Sequence, residues 1–122
     1  MKLFLVLGMI NGFLAVALGA FGAHGLEGRL SEKALSTWEK AVNYQMFHTM
    51  ALLVTGLLMM KADPASIIWA GWMFFIGIIL FSGSLYIYST TAIKTFAMIT
   101  PLGGVAFLIG WVLLGTFAVK HL

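Results

Sequence analysis

The hydrophobic residues of this chain are gathered into long runs, with few polar residues between them. A helix that crosses a bilayer needs about 20 mostly apolar residues. The sequence offers segments of this kind at about residues 3–23, 41–60, 67–88 and 96–119. The pattern predicts an all-α fold, an integral membrane four-helix bundle in which residues 1–122 form a single transmembrane domain. Aromatic residues typical of the membrane interface lie near the predicted helix ends, namely Trp38, Trp69, Trp72, Tyr86 and Tyr88.

A polar stretch, residues 24–40, separates the first two predicted spans. Gly25 and Gly28 are suited to end the first helix, and Ser31 is a good N-cap for the next one. Between residues 31 and 40, apolar and charged side chains recur with helical spacing. We therefore predict an amphipathic helix over about residues 31–40, either lying at the membrane interface or continuous with the second span.

The other connections between predicted spans are short. Asp63-Pro64 is predicted to end the second span, with Pro64 in the first turn of the third helix. Connections of this length predict antiparallel neighbours, so that both termini lie on one side of the membrane. The basic residues divide almost evenly between the two sides, which leaves the orientation open with cytoplasmic termini slightly favoured.

Composition supports the membrane assignment and excludes several classes of protein. The chain of 122 residues is 61% hydrophobic and 9% charged, with a mean hydropathy of +1.04. A soluble domain is about half apolar and about a quarter charged, so soluble enzymes, disordered chains and nucleic-acid-binding proteins are excluded. The net charge of +3 is spread along the chain, and there is no cysteine for a disulfide, a thiolate metal site or a thiol nucleophile. We expect no cofactor and no nucleic-acid partner.

Small residues line one face of the first predicted span. Such a seam lets two helix backbones approach closely, which is how helices associate in lipid. We predict that it is a packing surface, within the monomer or between protomers, rather than a pore lining or a ligand-facing surface. We also expect the chain to self-associate into a homo-oligomer through this seam. The seam consists of Gly8, Gly12, Ala15, Gly19 and Gly22. A shorter seam on the fourth span, with Gly103, Ala106 and Gly110, is the candidate partner of the first.

Polar residues inside the predicted spans must face protein or water rather than lipid. His48 lies in the second span, where it could transfer protons, ligate a metal, bind a ligand or make a structural hydrogen bond between helices. His24 ends the first span, and the predicted hairpin could bring it within a few turns of His48, which leaves open whether the two side chains meet. Since the two histidines have no nearby carboxylate, we predict no metal site. The candidate ligand-binding residues, predicted to form one polar cluster at the bundle centre, are Asn11, His24, Tyr44, Gln45, His48, Ser82 and Ser84.

The sequence favours a binding role over catalysis. It contains no phosphate cradle, zinc-protease signature or nucleophile elbow. All four acidic residues lie in loops or at interfaces, which excludes the small proton-coupled exporters that need a carboxylate within the membrane. The favoured function is a non-enzymatic membrane protein that binds a partner or a lipid as a scaffold. The alternative is a small channel or carrier for protons, ions or solutes that uses His48 and His24.

Several motifs carry a resemblance to a known family. They are residues 19–26 (GAFGAHGL), Tyr44-Gln45 with His48, and residues 80–86 (LFSGSLY), followed by residues 101–104 (PLGG) and 110–111 (GW). Their order and spacing resemble the small bacterial membrane proteins grouped as domain of unknown function 423, also called the UPF0382 family. Proteins of this family and the related eukaryotic transmembrane protein 256 are multi-pass membrane proteins without an established activity. The resemblance therefore implies a location in the bacterial plasma membrane, surrounded by the lipid bilayer, and it transfers no catalytic residues.

Overall fold

The structure is a computed structural model that describes residues 2–61, 65 and 67–122. Within these residues the chain forms four helices and no strand, which confirms the predicted all-α fold. The predicted break at Asp63-Pro64 lies outside the described residues. The helices are α1 (Leu3–His24), α2 (Glu32–Met59), α3 (Ile68–Thr91) and α4 (Lys94–His121).

Three of these helices, α1, α3 and α4, are long and apolar enough to cross a membrane. The fourth, α2, is less apolar because polar side chains such as Gln45 and His48 occupy its middle. These two side chains are only 4% and 3% exposed, so neighbouring helices rather than lipid surround them. With 28 residues, α2 is about 42 Å long. We expect it to cross the membrane beside α1, with its polar groups on the inside of the bundle.

The amphipathic segment after the first span is the beginning of α2. Ser31 caps the helix, since its hydroxyl accepts a hydrogen bond from the Ala34 N–H at 3.1 Å. The first two turns continue directly into the rest of the helix. Of the two arrangements that the sequence left open, a separate interfacial helix or one continuous with the second span, the structure has the second. On the inner side of this segment Trp38 is buried, and its indole N–H donates to the Leu18 carbonyl oxygen of α1 at 2.9 Å. The exposed charged residues of the segment are Glu32, Lys33, Glu39 and Lys40.

The small-residue seam of α1 packs against α2. A Cβ atom at Gly8 would approach the Leu53 Cδ2 atom to 2.6 Å, and one at Gly22 would collide with the Trp38 ring. The seam therefore packs within the monomer, and α2 occupies the face through which self-association was predicted. A homo-oligomer stays a prediction that would need another surface.

The seam of α4 does not pair with the seam of α1, and this prediction was wrong. A Cβ atom at Gly103 would collide with the backbone of Phe81, and one at Gly110 would lie 2.8 Å from the Phe74 ring. Both aromatic residues belong to α3. The bulky side chains of α3 thus fill the space beside the glycines of α4, and α3 takes the position that was assigned to α1.

The helix α3 changes its winding in the middle. A π-helical segment, Ile78–Gly83, separates the α-helical parts Ile68–Gly77 and Ser84–Thr91. Its Ser82 hydroxyl is fully buried and donates to the Ala41 carbonyl oxygen of α2 at 2.7 Å. The same segment meets α4 at Gly103. The π-helical segment therefore contacts both α2 and α4.

Candidate functional site

A chain of hydrogen-bonded side chains joins α1, α2 and α3. The Gln45 Nε2 group donates to Asn11 Oδ1 at 3.0 Å, and the Tyr86 hydroxyl donates to Gln45 Oε1 at 2.7 Å. The Asn11 amide in turn donates to the Leu7 carbonyl oxygen at 2.8 Å. Because lipid offers no hydrogen-bond partners, such groups must find each other inside the bundle. These residues fix the relative positions of three helices.

His48 makes a separate contact between α2 and α4. Its Nδ1 atom lies 2.8 Å from the Tyr44 carbonyl oxygen, which can only accept, so Nδ1 carries the proton. The Nε2 atom then accepts a hydrogen bond from the Trp111 indole N–H at 3.1 Å. The imidazole also stacks on the Phe107 ring, with 3.5 Å between centroids. Both ring nitrogens of a neutral histidine are therefore occupied, which favours the structural hydrogen bond among the roles that the sequence left open.

The second histidine considered, His24, does not come near His48. It is exposed at the end of α1, two residues beyond Gly22, which contacts Trp38. Trp38 precedes His48 on α2 by ten residues, or about 15 Å along the helix axis. The register of α1 on α2 thus leaves His24 roughly three helical turns from His48, so the two side chains do not meet, which the sequence left open.

The remaining candidate residues lie at contacts of their own. The Ser84 hydroxyl lies 2.6 Å from the Thr100 hydroxyl and links α3 to α4. Ser82 bonds to the backbone of α2, as described above. The Tyr44 side chain is 42% exposed, and its ring packs on Phe81 with 4.4 Å between centroids. The structure therefore distributes the predicted polar residues over several separate contacts between helices, and the prediction of a single central cluster is corrected.

An open groove lies between α2 and α4, with a volume of about 780 Å³. This volume is within the range of roughly 300–1,000 Å³ that is typical of ligand sites. His48 and Tyr44 lie on its α2 wall and Trp111 on its α4 wall. The other residues that line this α2–α4 groove are mostly apolar or aromatic, namely Asn43, Phe47, Phe81, Pro101, Gly104, Val105, Phe107 and Leu108.

A second groove, between α1 and α3, has a volume of about 400 Å³. Four polar side chains lie along it, and each of them is already hydrogen-bonded to another helix or to its own. This groove is therefore less suited to bind a ligand, because its polar groups already serve the contacts between helices described above. These polar residues are Asn11, Gln45, Ser82 and Tyr86.

Sequence reasoning missed the hydrogen bonds that Trp38, Tyr86 and Trp111 make to other helices. The first two were assigned to the interfacial belt because they lie near predicted helix ends. Trp38 precedes Gln45 by seven residues, two helical turns, so this spacing already places it on the polar inner face of α2. The hydrogen bonds of Tyr86 and Trp111 depend on the packing of distant helices, and no local pattern indicates them.

The helices and their buried hydrogen bonds define a multi-pass helical membrane protein. The chain belongs to the family described as "Protein of unknown function (DUF423)", which matches residues 18–104. This confirms the resemblance inferred from the motifs.

Relatives named UPF0382 membrane proteins cover almost the whole chain. One from Staphylococcus aureus is 54% identical over 114 residues, covering 93% of each chain. Another from Staphylococcus epidermidis is 53% identical, also covering 93% of each chain. The Bacillus subtilis protein YwdK is 53% identical over 123 residues, covering 100% of each chain. No solved structure matches this chain.

Proposed function

We propose that this protein is a non-enzymatic lipid-binding protein of the bacterial plasma membrane, and that it holds one apolar chain in the α2–α4 groove. The observation that carries the proposal is the groove itself, with a volume of about 780 Å³ and mostly apolar walls. Aromatic side chains offer large contact areas at a low cost in conformational entropy, as a site for a flexible hydrocarbon requires.

The polar groups beside the groove support binding rather than proton transfer. His48 is held on both ring nitrogens, by Tyr44 and by Trp111. A carrier that used His48 for protons would have to break the bond to Trp111 at each passage. His24 lies at a different depth, so it does not provide a second proton-accepting group next to His48. The hydrogen bonds instead fix the wall of the groove and join α2 to α4 across it.

The length of the groove matches one leaflet of the bilayer. Along α4 it extends from Pro101 to Trp111, which is about 15 Å of helix. The hydrocarbon core is about 30 Å thick. A groove that covers half of this thickness fits an acyl chain from the leaflet on the side where α2 and α4 begin.

A pair of matched variants tests this proposal. Gly104 lines the groove, and among the described residues a Cβ atom there would meet only the Phe81 ring, at 4.0 Å. The Gly104→Leu variant is expected to fill the groove and to reduce the lipid retained by the purified protein at least several-fold. Gly115 lies on the same helix, and a Cβ atom there would meet none of the described residues within 4 Å. Gly115→Leu is therefore the control and should retain lipid like the wild type.

Native mass spectrometry after mild detergent extraction measures the retained lipid directly. Circular dichroism of both variants establishes that they keep their helices. Equal retention by the two variants would overturn the proposal, because the lipid would then be bound at surfaces outside the groove.

A further inference from the structure

Positive charge lies at one end of the α2–α4 groove. The four helices alternate in direction, so α2 and α4 begin on the same side of the bundle. Lys40 precedes Tyr44 by one helical turn, and Lys94 precedes Pro101 by two turns. Residues at these spacings share a helix face. Lys40 on α2 and Lys94 on α4 therefore lie beyond the groove on its two walls, on the side of the aqueous phase.

Hydrogen bonds between the helices define how far Lys40 lies from the groove. Two nearby residues of α3 bond to its neighbours: Ser82 to the carbonyl of Ala41 in α2, and Ser84 to Thr100 in α4. Ala41 therefore lies at nearly the same depth in the bundle as the α4 residues where the groove begins. Lys40 is thus at the mouth of the groove, and Lys94 lies about 10 Å farther out along α4. Helical side chains lean towards the N-terminus, which directs both amines away from the bilayer core.

The acidic residues nearby do not neutralise this mouth. Lys40 and Lys94 are exposed, and neither forms an ion pair within residues 2–61, 65 and 67–122. Glu39 is adjacent to Lys40 in sequence but points about 100° away around the helix, outside the groove side of α2. The mouth therefore presents cationic groups above an apolar groove, an arrangement complementary to an amphiphile with a negatively charged head.

We propose that the occupant of the α2–α4 groove is an anionic phospholipid. Its acyl chain lies between Tyr44 and Trp111, and its phosphate is bound by Lys40, with Lys94 attracting the headgroup from farther out. This inference rests on the proposed lipid-binding function and adds the charge of the ligand to it. A zwitterionic lipid with the same chains fills the groove equally well but gains less from the two lysines.

Competition between two lipids tests the selection. The protein is reconstituted in nanodiscs that contain phosphatidylglycerol and phosphatidylcholine in equal amounts with identical acyl chains, and the retained lipid is identified by native mass spectrometry. The wild type is expected to enrich phosphatidylglycerol by roughly tenfold. The Lys40→Gln/Lys94→Gln variant should retain the same total lipid with little enrichment. Its matched control, Lys2→Gln/Lys120→Gln, removes two charges at the opposite end of the bundle and should keep the enrichment.

The results of these experiments separate this inference from the proposed function. Retention that depends on Gly104 but shows no preference for phosphatidylglycerol overturns the selection and leaves lipid binding intact. An equal loss of enrichment in the two lysine variants also overturns it, because net charge rather than the groove mouth would then attract the lipid. Retention that does not depend on Gly104, or a dimer that excludes lipid from the groove, overturns both proposals.

Discussion

Single polar side chains fix the helix positions in this protein. Gln45 uses both ends of its amide, one towards Asn11 of α1 and one towards Tyr86 of α3. In a bilayer, such hydrogen bonds contribute on average about 0.6 kcal/mol and up to about 1.7 kcal/mol. Each contribution is modest, but they determine which face of each helix turns inward. A purely apolar helix has no comparable preference in lipid.

The hydrogen bond from Tyr86 can be removed without changing the shape of the side chain. The Tyr86→Phe variant is expected to lower the free energy of unfolding by about 0.6 kcal/mol, and by no more than about 1.7 kcal/mol. The measurement is reversible unfolding in mixed detergent micelles with increasing sodium dodecyl sulfate. Tyr88→Phe is the control on the same helix, since the Tyr88 hydroxyl makes no hydrogen bond to the described part of the chain. An equal loss in both variants would contradict the role of the Gln45–Tyr86 bond.

At the scale of helices, α3 and α4 approach each other closely at Gly103. The π-helical segment Ile78–Gly83 places the backbone of Phe81 directly against Gly103. π-helical turns are rare, and they occur mostly as short segments inside α-helices. Here the segment also directs Ser82 towards the backbone of α2. Phe81 and Ser82 are adjacent in sequence, so this one segment provides contacts with both neighbouring helices.

Two adjacent glycines provide a direct test of this contact. Gly103→Ala is expected to destabilise the protein by roughly 1–3 kcal/mol, because the added methyl group collides with the Phe81 backbone, which cannot give way. Gly104→Ala is expected to be neutral or to stabilise by about 0.4–1 kcal/mol, since its Cβ would lie 4.0 Å from the Phe81 ring. The same unfolding measurement applies. Similar losses for both variants would contradict this explanation, because Ala favours a helix more than Gly does and only Gly103 faces the Phe81 backbone.

For the whole molecule, the sequence predicted the helices well because lipid imposes simple rules on them. Apolar length and the position of charges are local properties, so the α-helical fold and the seam of α1 could be recognised directly. The packing partner of the α4 seam could not be recognised in this way, because it depends on which large side chains, such as Phe74 and Phe81, face each glycine. The separation of His24 from His48 likewise follows from the register of α1 on α2, which Gly22 and Trp38 determine.

The candidate site was predicted only in part. His48 and Tyr44 were selected because polar residues inside a span must face protein, and both line the α2–α4 groove. The rest of its wall consists of ordinary apolar residues such as Val105 and Leu108, which no motif distinguishes from lipid-facing ones. A groove between two helices is a consequence of their spacing. Here α2 and α4 are both attached to α3, and they contact each other mainly through His48.

Photo-crosslinking shows directly whether a lipid chain lies in the α2–α4 groove. A phospholipid with a diazirine in its acyl chain is incorporated into bilayers that contain the wild-type protein, and the labelled residues are mapped by mass spectrometry after irradiation. If the groove binds lipid, adducts concentrate on Phe47, Val105 and Leu108, and they are lost when excess unlabelled lipid competes. Phe13 and Val16 of α1 are comparably exposed but lie outside both grooves. Labelling of these α1 residues as strong as that of the groove residues would contradict lipid binding in the groove.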